Sequence, residues 1–517
     1  MTYEEFLKTK EYTIEPSGFT ATNLNENLFD YQQAITKWAL RIGKAALFED
    51  TGLGKTIQQL SWADAVAKHT GGTVLILAPL AVSKQTAQEA SKFGITCNLA
   101  EGQEDIKPGI NITNYEKIHK FDTDSFSGVV LDESSILKSY TGETTKDLQE
   151  RFAYTPYKLC CTATPSPNDY TEIGTTAEFL GVMPRGEMLA TFFINDSIKK
   201  KGKNDRIGWR LKRHAEKEFF RWMATWSMMI KSPADLGYDG EKFVLPKLHV
   251  KANILKSEPD AESLFVEYAE TLQERREARK HSLDERVIMA KNIAQTKENC
   301  LIWCDYNNES TALHKAIRGS VEVKGSDTPE HKEKAMMGFT SGDVKYLVTK
   351  PSICGFGMNW QNCHDMIFCG LSDSYEQFYQ AIRRCYRFGQ KHEVNVHVII
   401  SEKEMNVLNN IKRKQADHER MSAEMVKVMS ESAKVELFGQ QRKKTDYIPE
   451  IAMEVPMATI LNKRQQSVIA GHAIVKIEDI LKKCGLENVL VTVNDKEYVA
   501  LDEVKKAIRE LYEGEEK

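Results

Sequence analysis

The stretch EDTGLGKT, residues 49–56, constrains the fold of this chain more than any other feature. The apolar run KAALF precedes it, and the segment IQQLSWADAVAKH that follows has apolar residues close to helical spacing. A glycine-rich turn between a strand and a helix is the setting of a P-loop, in which backbone N–H groups at the helix N-terminus bind phosphate. The sequence therefore predicts an α/β domain with a phosphate site beside its sheet.

Individual residues of this turn have distinct predicted roles. Gly52 and Gly54 let the backbone approach the phosphates closely, Lys55 reaches the β- and γ-phosphates, and the Thr56 hydroxyl holds Mg²⁺. The strict P-loop pattern G-x-x-x-x-G-K-[ST] is incomplete, because Glu49 occupies the position of its first glycine. A chance glycine-rich turn is therefore the alternative for the loop taken by itself.

An acidic pair further along the chain strengthens the phosphate-site interpretation. The segment FSGVVLDESS reads as a short buried strand with Asp132 and Glu133 at its carboxyl end. In a parallel sheet that end lies beside the P-loop, so Asp132 is expected to hold Mg²⁺ and Glu133 to polarise the attacking water as general base. Acidic residues often end strands without any such role, but a phosphate loop, a metal ligand and a base in this order indicate NTP hydrolysis.

The second half of the chain repeats the strand–helix pattern. The segments ENCLIWC, KYLVTKPSICGFGMNW, DMIFCGLS and EVNVHVII read as strands, which predicts a second α/β lobe. The helical segment YEQFYQAIRRCYRFGQ places Arg383, Arg384 and Arg387 close together. Arginines opposite a phosphate site stabilise transition-state charge, whereas a solvated basic face is the alternative. If the arginines act on the phosphate site of the first lobe, the nucleotide binds between the two lobes.

Bulk composition narrows the class of protein. The net charge of −4 excludes a nucleic-acid binder of the histone kind, but it leaves open a motor that grips nucleic acid through local basic patches. The ten cysteines include no CxxC pair, and CLIWC is better interpreted as a buried strand than as a metal site. No apolar run approaches the roughly 20 residues of a membrane span. These features predict a cytoplasmic protein with reduced thiols.

The ordered motifs resemble helicase superfamily two, specifically its Swi/Snf-like branch of DNA translocases. The most specific of them is QAIRRCYRFGQ, residues 380–390, which has the Gln-Ala pair, two arginines three apart and the terminal Gly-Gln of that family. The resemblance spans about residues 28 to 400. The other motifs are FDYQQ at 29–33, DTGLGKTIQ at 50–58, ILAPLAV at 76–82, VVLDESS at 129–135, TATPSPND at 162–169 and CGFGMNW at 354–360.

This resemblance implies a fold of two tandem RecA-like α/β lobes and an ATP-driven motor that translocates on double-stranded DNA. It implies that Arg384 and Arg387 are arginine fingers and that Gln32 reads the adenine edge. It also implies that Thr162, Thr164 and Gln380 couple hydrolysis to lobe motion. The residues expected to bind ATP and Mg²⁺ are Gln32, Thr51, Gly52, Gly54, Lys55, Thr56, Asp132 and Gly357.

Several positions depart from the family pattern. The acidic box continues with two serines, 134 and 135, where the family has a histidine two residues after the glutamate. Arg383 replaces an acidic residue, and Phe29 replaces an arginine. Because no chromatin-reader module is recognisable, a compact bacterial or phage translocase fits better than a eukaryotic remodeller. These departures concern coupling and DNA grip rather than the ATPase chemistry.

Residues 186–245 interrupt the α/β pattern and hold the candidate nucleic-acid contacts. The segment SIKKKGKNDR is basic, and phosphate contacts are expected from Lys199, Lys200, Lys201 and Lys203, with a merely solvated loop as the alternative. The following segment is predicted to be helical, with Trp222 and Trp226 among apolar residues at three- and four-residue spacing. Helix core is the favoured interpretation of these tryptophans, and stacking on bases is the alternative.

The predicted domain organisation combines the two lobes with helical insertions and a small C-terminal α+β domain. That C-terminal domain, in which VLVTVNDKEYVAL reads as a β-hairpin, either caps the structure or docks a protein partner. A strand-separating DNA or RNA helicase and an ATP-gated clamp with little turnover remain alternative functions. The predicted boundaries are an N-terminal extension (1–25), lobe one (26–185), a helical and basic insertion (186–245), lobe two (246–410) with a helical insertion (255–296), a helical brace (411–455) and the accessory domain (456–517).

Overall fold

The computed structural model describes residues 15–195, 208–257, 268–269, 271–354, 358–438, 453–454, 491–493 and 496–498. Two seven-stranded parallel sheets dominate this part of the chain, one in each lobe. Both are flanked by helices, which confirms the predicted fold of two tandem RecA-like lobes. Lys199 to Lys203 and Gly357 lie outside the described residues.

Lobe one is built on a sheet with the strand order β3-β4-β2-β5-β6-β1-β9. Its central strands are buried on both faces because helices cover the two sides of the sheet, and this accounts for their continuous apolar sequences. The strands are β1 (Lys44–Glu49), β2 (Thr73–Ala78), β3 (Cys97–Leu99), β4 (Gly109–Asn114), β5 (Gly128–Asp132), β6 (Tyr157–Cys161) and β9 (Ser227–Ile230). The helices are α1 (Asp30–Ile42), α2 (Lys55–Thr70), α3 (Leu80–Lys92), α4 (Glu143–Arg151), α5 (Ile173–Leu180), α6 (Arg185–Phe192) and α7 (Glu216–Ala224).

Lobe two has the strand order β12-β13-β11-β14-β15-β10-β16. Every pair in this sheet is parallel, so loops at the strand carboxyl ends share one edge, as they do in lobe one. The strands are β10 (Leu248–Leu255), β11 (Cys300–Trp303), β12 (Ser320–Glu322), β13 (Tyr346–Thr349), β14 (Asp365–Cys369), β15 (Val394–Ser401) and β16 (Met453–Glu454). The helices are α8 (Leu272–His281), α9 (Leu283–Ala294), α10 (Asn307–Ala316), α11 (Pro329–Ser341), α12 (Pro351–Cys354) and α13 (Tyr375–Ile382).

The region between the lobes differs from the predicted uninterrupted helix. Helix α7 ends at Ala224, and Ser227–Ile230 forms β9, which pairs in parallel with β1 at the edge of the lobe-one sheet. Trp222 and Trp226 are 2% and 0% exposed, so the core interpretation is confirmed and base stacking on these rings is excluded. Before α7, strands β7 (Phe193–Asn195) and β8 (Trp209–Leu211) form an antiparallel pair.

The charged helical segment predicted as an insertion contributes to the core of lobe two. Helix α9 packs Val287, Ala290 and Ala294 into a cluster with the central strands of the sheet. On the same helix the fully buried side chain of Arg286 donates to Glu309 at 2.8 Å and to the Cys369 carbonyl at 2.8 Å. Helix α9 is therefore a structural part of the lobe and not an appendage to it.

A single helix links the two lobes. Helix α14 (Met405–Phe438) begins in the lobe-two core with Leu408 and Ile411, and it then packs Met421 and Met425 into the lobe-one core. The described part of the predicted helical brace (411–455) lies mainly in this helix. The predicted C-terminal hairpin is confirmed, since β17 (Val491–Val493) pairs antiparallel with β18 (Lys496–Tyr498). Among the described residues, no helix combines the length and apolarity needed to cross a membrane.

Replacing the buried arginine of α9 tests its structural role. We expect Arg286→Ala to lower the free energy of unfolding by about 3–5 kcal/mol, because Glu309 would keep a buried charge with one partner fewer. Urea denaturation followed by circular dichroism measures the effect. Arg276→Ala, an exposed arginine of the preceding helix, is the control and should change stability by less than about 0.5 kcal/mol. Equal, small effects for both variants would contradict the structural role.

Candidate nucleotide site between the lobes

The glycine-rich turn lies between β1 and α2, as predicted, and both of its glycines have left-handed backbone conformations. Gly52 has φ +90° and Gly54 has φ +77°. A Cβ atom on Gly52 would lie 2.9 Å from the backbone nitrogen of Phe388, and one on Gly54 would lie 2.3 Å from the Gln32 amide nitrogen. Only glycine fits these two positions without strain or displacement. The first of these contacts also shows that lobe two touches the phosphate loop.

The Lys55 ammonium group lies over its own loop. It donates to the carbonyls of Glu49 at 2.7 Å and of Asp50 at 3.0 Å. A phosphate group entering the loop would take over these donors, since charge-assisted bonds to phosphate are stronger than bonds to carbonyls. Thr51 and Thr56 lie in the same loop and at the start of α2, where a phosphate and its metal are predicted to bind.

Gln32 supports the phosphate loop from α1. Its amide nitrogen donates to the Leu53 carbonyl at 2.8 Å, and its amide oxygen accepts from the Phe29 backbone nitrogen at 2.9 Å. The hydroxyl of Tyr31 donates to the same Leu53 carbonyl at 2.7 Å. Gln32 is thus brought to the loop, while its predicted contact with adenine stays a prediction.

The acidic pair lies at the carboxyl end of β5, as predicted. The Gln59 amide donates to Asp132 at 2.7 Å, and burial raises the pKa of Asp132. Glu133 has φ 55° and ψ 54°, and it is the only non-glycine residue with positive φ in the described ranges. Strained backbone of this kind persists where the surrounding structure requires it, and it clusters at functional sites. Burial and the neighbouring Asp132 raise the pKa of Glu133 to about 7.

Glu133 receives contacts from both lobes. From lobe one, the Thr162 hydroxyl makes a long hydrogen bond of 3.5 Å to its carboxylate, and the Thr164 backbone nitrogen donates to Thr162 at 3.1 Å. From lobe two, the Gln380 amide donates to the same carboxylate oxygen at 3.4 Å. The amide oxygen of Gln380 in turn accepts from Arg384 at 3.0 Å. The three predicted coupling residues therefore form one continuous chain across the cleft.

The three arginines have different surroundings. Arg384 is 5% exposed and also donates to the Met358 carbonyl at 3.1 Å; burial and the nearby Arg387 lower its pKa to about 10. Arg387 donates to the same carbonyl at 3.5 Å, and burial lowers its pKa. Arg383 turns away from both and pairs with Asp50 of lobe one. The structure thus places the two predicted finger arginines together and assigns the third a separate partner.

One buried acid of the site was not predicted to matter. Glu49 is 0% exposed; one of its carboxylate oxygens accepts from the Gln58 amide at 2.7 Å, and the other has no hydrogen-bond partner among the described residues. Burial raises the pKa of Glu49 to about 7, against the opposing effect of Lys55. The sequence feature that could have indicated a role for Glu49 is its position, at the end of an apolar strand and in place of the first P-loop glycine.

The residues present fit a nucleotide and its Mg²⁺ ion. A glycine loop with no room for Cβ atoms, a lysine at its end and a buried carboxylate with a nearby threonine form a suitable donor set. Thr56 and Asp132 would hold the metal, and Lys55 would contact the phosphates.

Comparison with known proteins gives matches in both lobes. The SNF2-related domain matches residues 31–223 and the helicase conserved C-terminal domain matches residues 282–389, together more than half of the chain. A solved structure of the Sulfolobus solfataricus SWI2/SNF2 ATPase core in complex with dsDNA is 19% identical and covers 81% of this chain and 98% of that chain, with a TM-score of 0.36. No curated protein matches the chain significantly.

The buried Glu49 generates a prediction about pH. Its pKa is raised from 4.5 to about 7, so the folded state binds a proton more tightly than the unfolded state. The protonated Glu49 therefore contributes to the free energy of unfolding at low pH, and this contribution is lost as pH rises through 7. We expect Glu49→Gln to be more stable than the wild type by about 3 kcal/mol at pH 8, with a smaller difference at pH 5.

Urea denaturation at both pH values measures this effect. Glu333→Gln, an exposed glutamate of α11, is the control and should leave the pH dependence as it is in the wild type. The interpretation fails if Glu49→Gln and wild type lose stability equally between pH 5 and pH 8.

Proposed function

We propose that this chain, which belongs to the Swi/Snf-like branch of helicase superfamily two, hydrolyses ATP between its lobes and thereby translocates on double-stranded DNA. Membership of the family rests on its two matched domains and their order along the chain. Members of this branch are ATP-hydrolysing motors with RecA-like lobes. The site of hydrolysis, the dependence on DNA and the movement along the duplex are the parts that we propose.

One observation carries the proposal: Gln380 of lobe two contacts both the predicted base, Glu133, and the predicted finger, Arg384. Such a contact makes the position of lobe two depend on what occupies the active site of lobe one. A motor needs this dependence, whereas a binding module with a nucleotide site in a single lobe does not. This contact between the lobes supports a mechanism in which ATP hydrolysis is converted into lobe motion.

The proposed mechanism assigns each group one role. Lys55 and the loop N–H groups would bind the β- and γ-phosphates, and Thr56 and Asp132 would hold Mg²⁺, which would supply charge neutralisation at the phosphates. Glu133 accepts a proton from the attacking water as the general base. The guanidinium groups of Arg384 and Arg387 stabilise the charge that develops on the transferred phosphoryl group.

Double-stranded DNA is the proposed track because of the family to which the chain belongs. Binding would depend strongly on salt and little on base sequence, since phosphate contacts carry most of the affinity. A strand-separating helicase for DNA or RNA remains the second candidate. A clamp with little turnover is disfavoured by the arrangement of base, lysine and two arginines at one cleft.

The ATPase rate in the presence of different nucleic acids tests the proposed track. We expect low turnover alone, strong stimulation by duplex DNA, and weaker stimulation by single-stranded DNA or RNA. Displacement assays on forked duplexes separate pure translocation from unwinding. Preferential stimulation by single strands or RNA would contradict the duplex track while leaving the ATPase in place.

Three substitutions test the assigned roles. We expect Lys55→Ala to abolish hydrolysis, Glu133→Gln to bind ATP without turnover, and Arg387→Ala to reduce turnover by roughly a thousandfold with near-normal ATP binding. Steady-state ATPase assays and fluorescent-nucleotide titrations measure the two quantities. Arg318→Ala, an exposed arginine of lobe two, is the control for Arg387→Ala. Normal turnover of Arg387→Ala would refute its assignment as a finger.

A further inference from the structure

The carboxylate of Asp50 is held by donors from both lobes. The Thr51 backbone nitrogen donates to it at 2.6 Å from within the phosphate loop. From lobe two, the Arg383 guanidinium donates to the other carboxylate oxygen of Asp50 at 2.5 Å. The Tyr379 hydroxyl donates to the same oxygen as the Thr51 nitrogen. The main-chain carbonyl of Asp50 meanwhile accepts from Lys55 at 3.0 Å. One residue thus connects helix α13 of lobe two to the phosphate-binding lysine of lobe one.

This ion pair is shielded from water. The side chains of Arg383 and Asp50 are 4% and 10% exposed. The guanidinium lies over the rings of Tyr379 and Tyr386, 5.1 Å and 5.2 Å from their centroids, and it also donates to the Tyr386 carbonyl at 3.4 Å. Removing one partner of such a pair leaves an uncompensated buried charge, which is far more costly than breaking a surface ion pair.

The guanidinium of Arg383 has different partners from that of Arg384. Unlike Arg384, which connects to Glu133 through Gln380, Arg383 reaches the phosphate loop only through Asp50. The cavity beside Arg383 is lined by Tyr375, His418 and Ser422 and also by Asp50. These contacts favour a role for Arg383 in shaping the loop over a role in stabilising transition-state charge.

We propose that Arg383 is a positioning residue, and that through Asp50 it holds the phosphate loop in its binding conformation when the lobes are docked. This inference rests on the proposed ATP site and adds to it a route by which lobe two prepares that site. A loop held in advance loses less conformational entropy when a nucleotide binds, so its affinity is higher. When lobe two moves away, Asp50 loses two of its donors and the loop is released.

Nucleotide affinity, measured by titration with a fluorescent ATP analogue and Mg²⁺, tests the proposal. We expect Arg383→Gln and Asp50→Asn each to weaken binding about tenfold, and the double variant to be no weaker than the single variants. In contrast to Arg387→Ala, which should lower turnover, Arg383→Gln should act mainly on the KM for ATP. Arg383→Lys should recover part of the affinity because it restores the charge.

A second ion pair between the lobes provides a matched control. Lys138 of lobe one pairs with Glu376 of α13, and neither side chain has a hydrogen bond or ion pair to residues 49–56 within the described ranges. The double variant Lys138→Gln/Glu376→Gln should keep nucleotide affinity within about twofold of wild type, if loop positioning rather than lobe adhesion is responsible. Thermal melts of every variant without nucleotide establish that the lobes remain folded.

Three results would overturn the proposal: unchanged or tighter binding in Arg383→Gln, additive losses in the double variant, or equal losses in the Lys138/Glu376 control. The failure of the proposed function looks different. If the proposed function fails, the wild type itself would hydrolyse no ATP under any condition. The titrations would still show whether the Asp50 and Arg383 variants bind nucleotide more weakly than the wild type.

Discussion

The parallel pairing of β1, β5 and β6 is the constraint on which the rest of the structure depends. Because these strands are neighbours that run in the same direction, their carboxyl ends bring the phosphate loop, the acidic pair and the threonine turn to one edge. Lobe two repeats this architecture and presents helix α13 to the same edge. The functional groups are thus gathered by sheet geometry, although they are distant in sequence.

The cleft concentrates charges that neither lobe could bury at low cost by itself. Burial raises the pKa values of Glu49, Asp132 and Glu133 and lowers those of Arg384 and Arg387. Both shifts show that burial makes the ionised forms of these groups less favourable. A nearby opposite charge or a bound cation reduces the free-energy cost of ionisation. An electrostatic site of this kind is therefore most stable when the two lobes and their ligand are together.

Local patterns were sufficient to predict the phosphate loop and the acidic pair, because each lies within one strand and the turn after it. The partner of Arg383 could not be predicted in this way, since three arginines in one helical segment look alike until the opposite lobe is placed. The sequence of β9 predicts helix, because Ser-Met-Met-Ile follows α7 without an intervening glycine or proline. The position of α9 depends on long-range packing, which its charged sequence conceals.

Helix α14 restricts how the cleft can open. An α-helix of its 34 residues is about 51 Å long, and its two halves are anchored in different hydrophobic cores. Separating the lobes would either expose Met421 and Met425 from the lobe-one core or expose Leu408 and Ile411 from the lobe-two core. The apolar packing along this helix therefore limits the distance by which the two lobes can part.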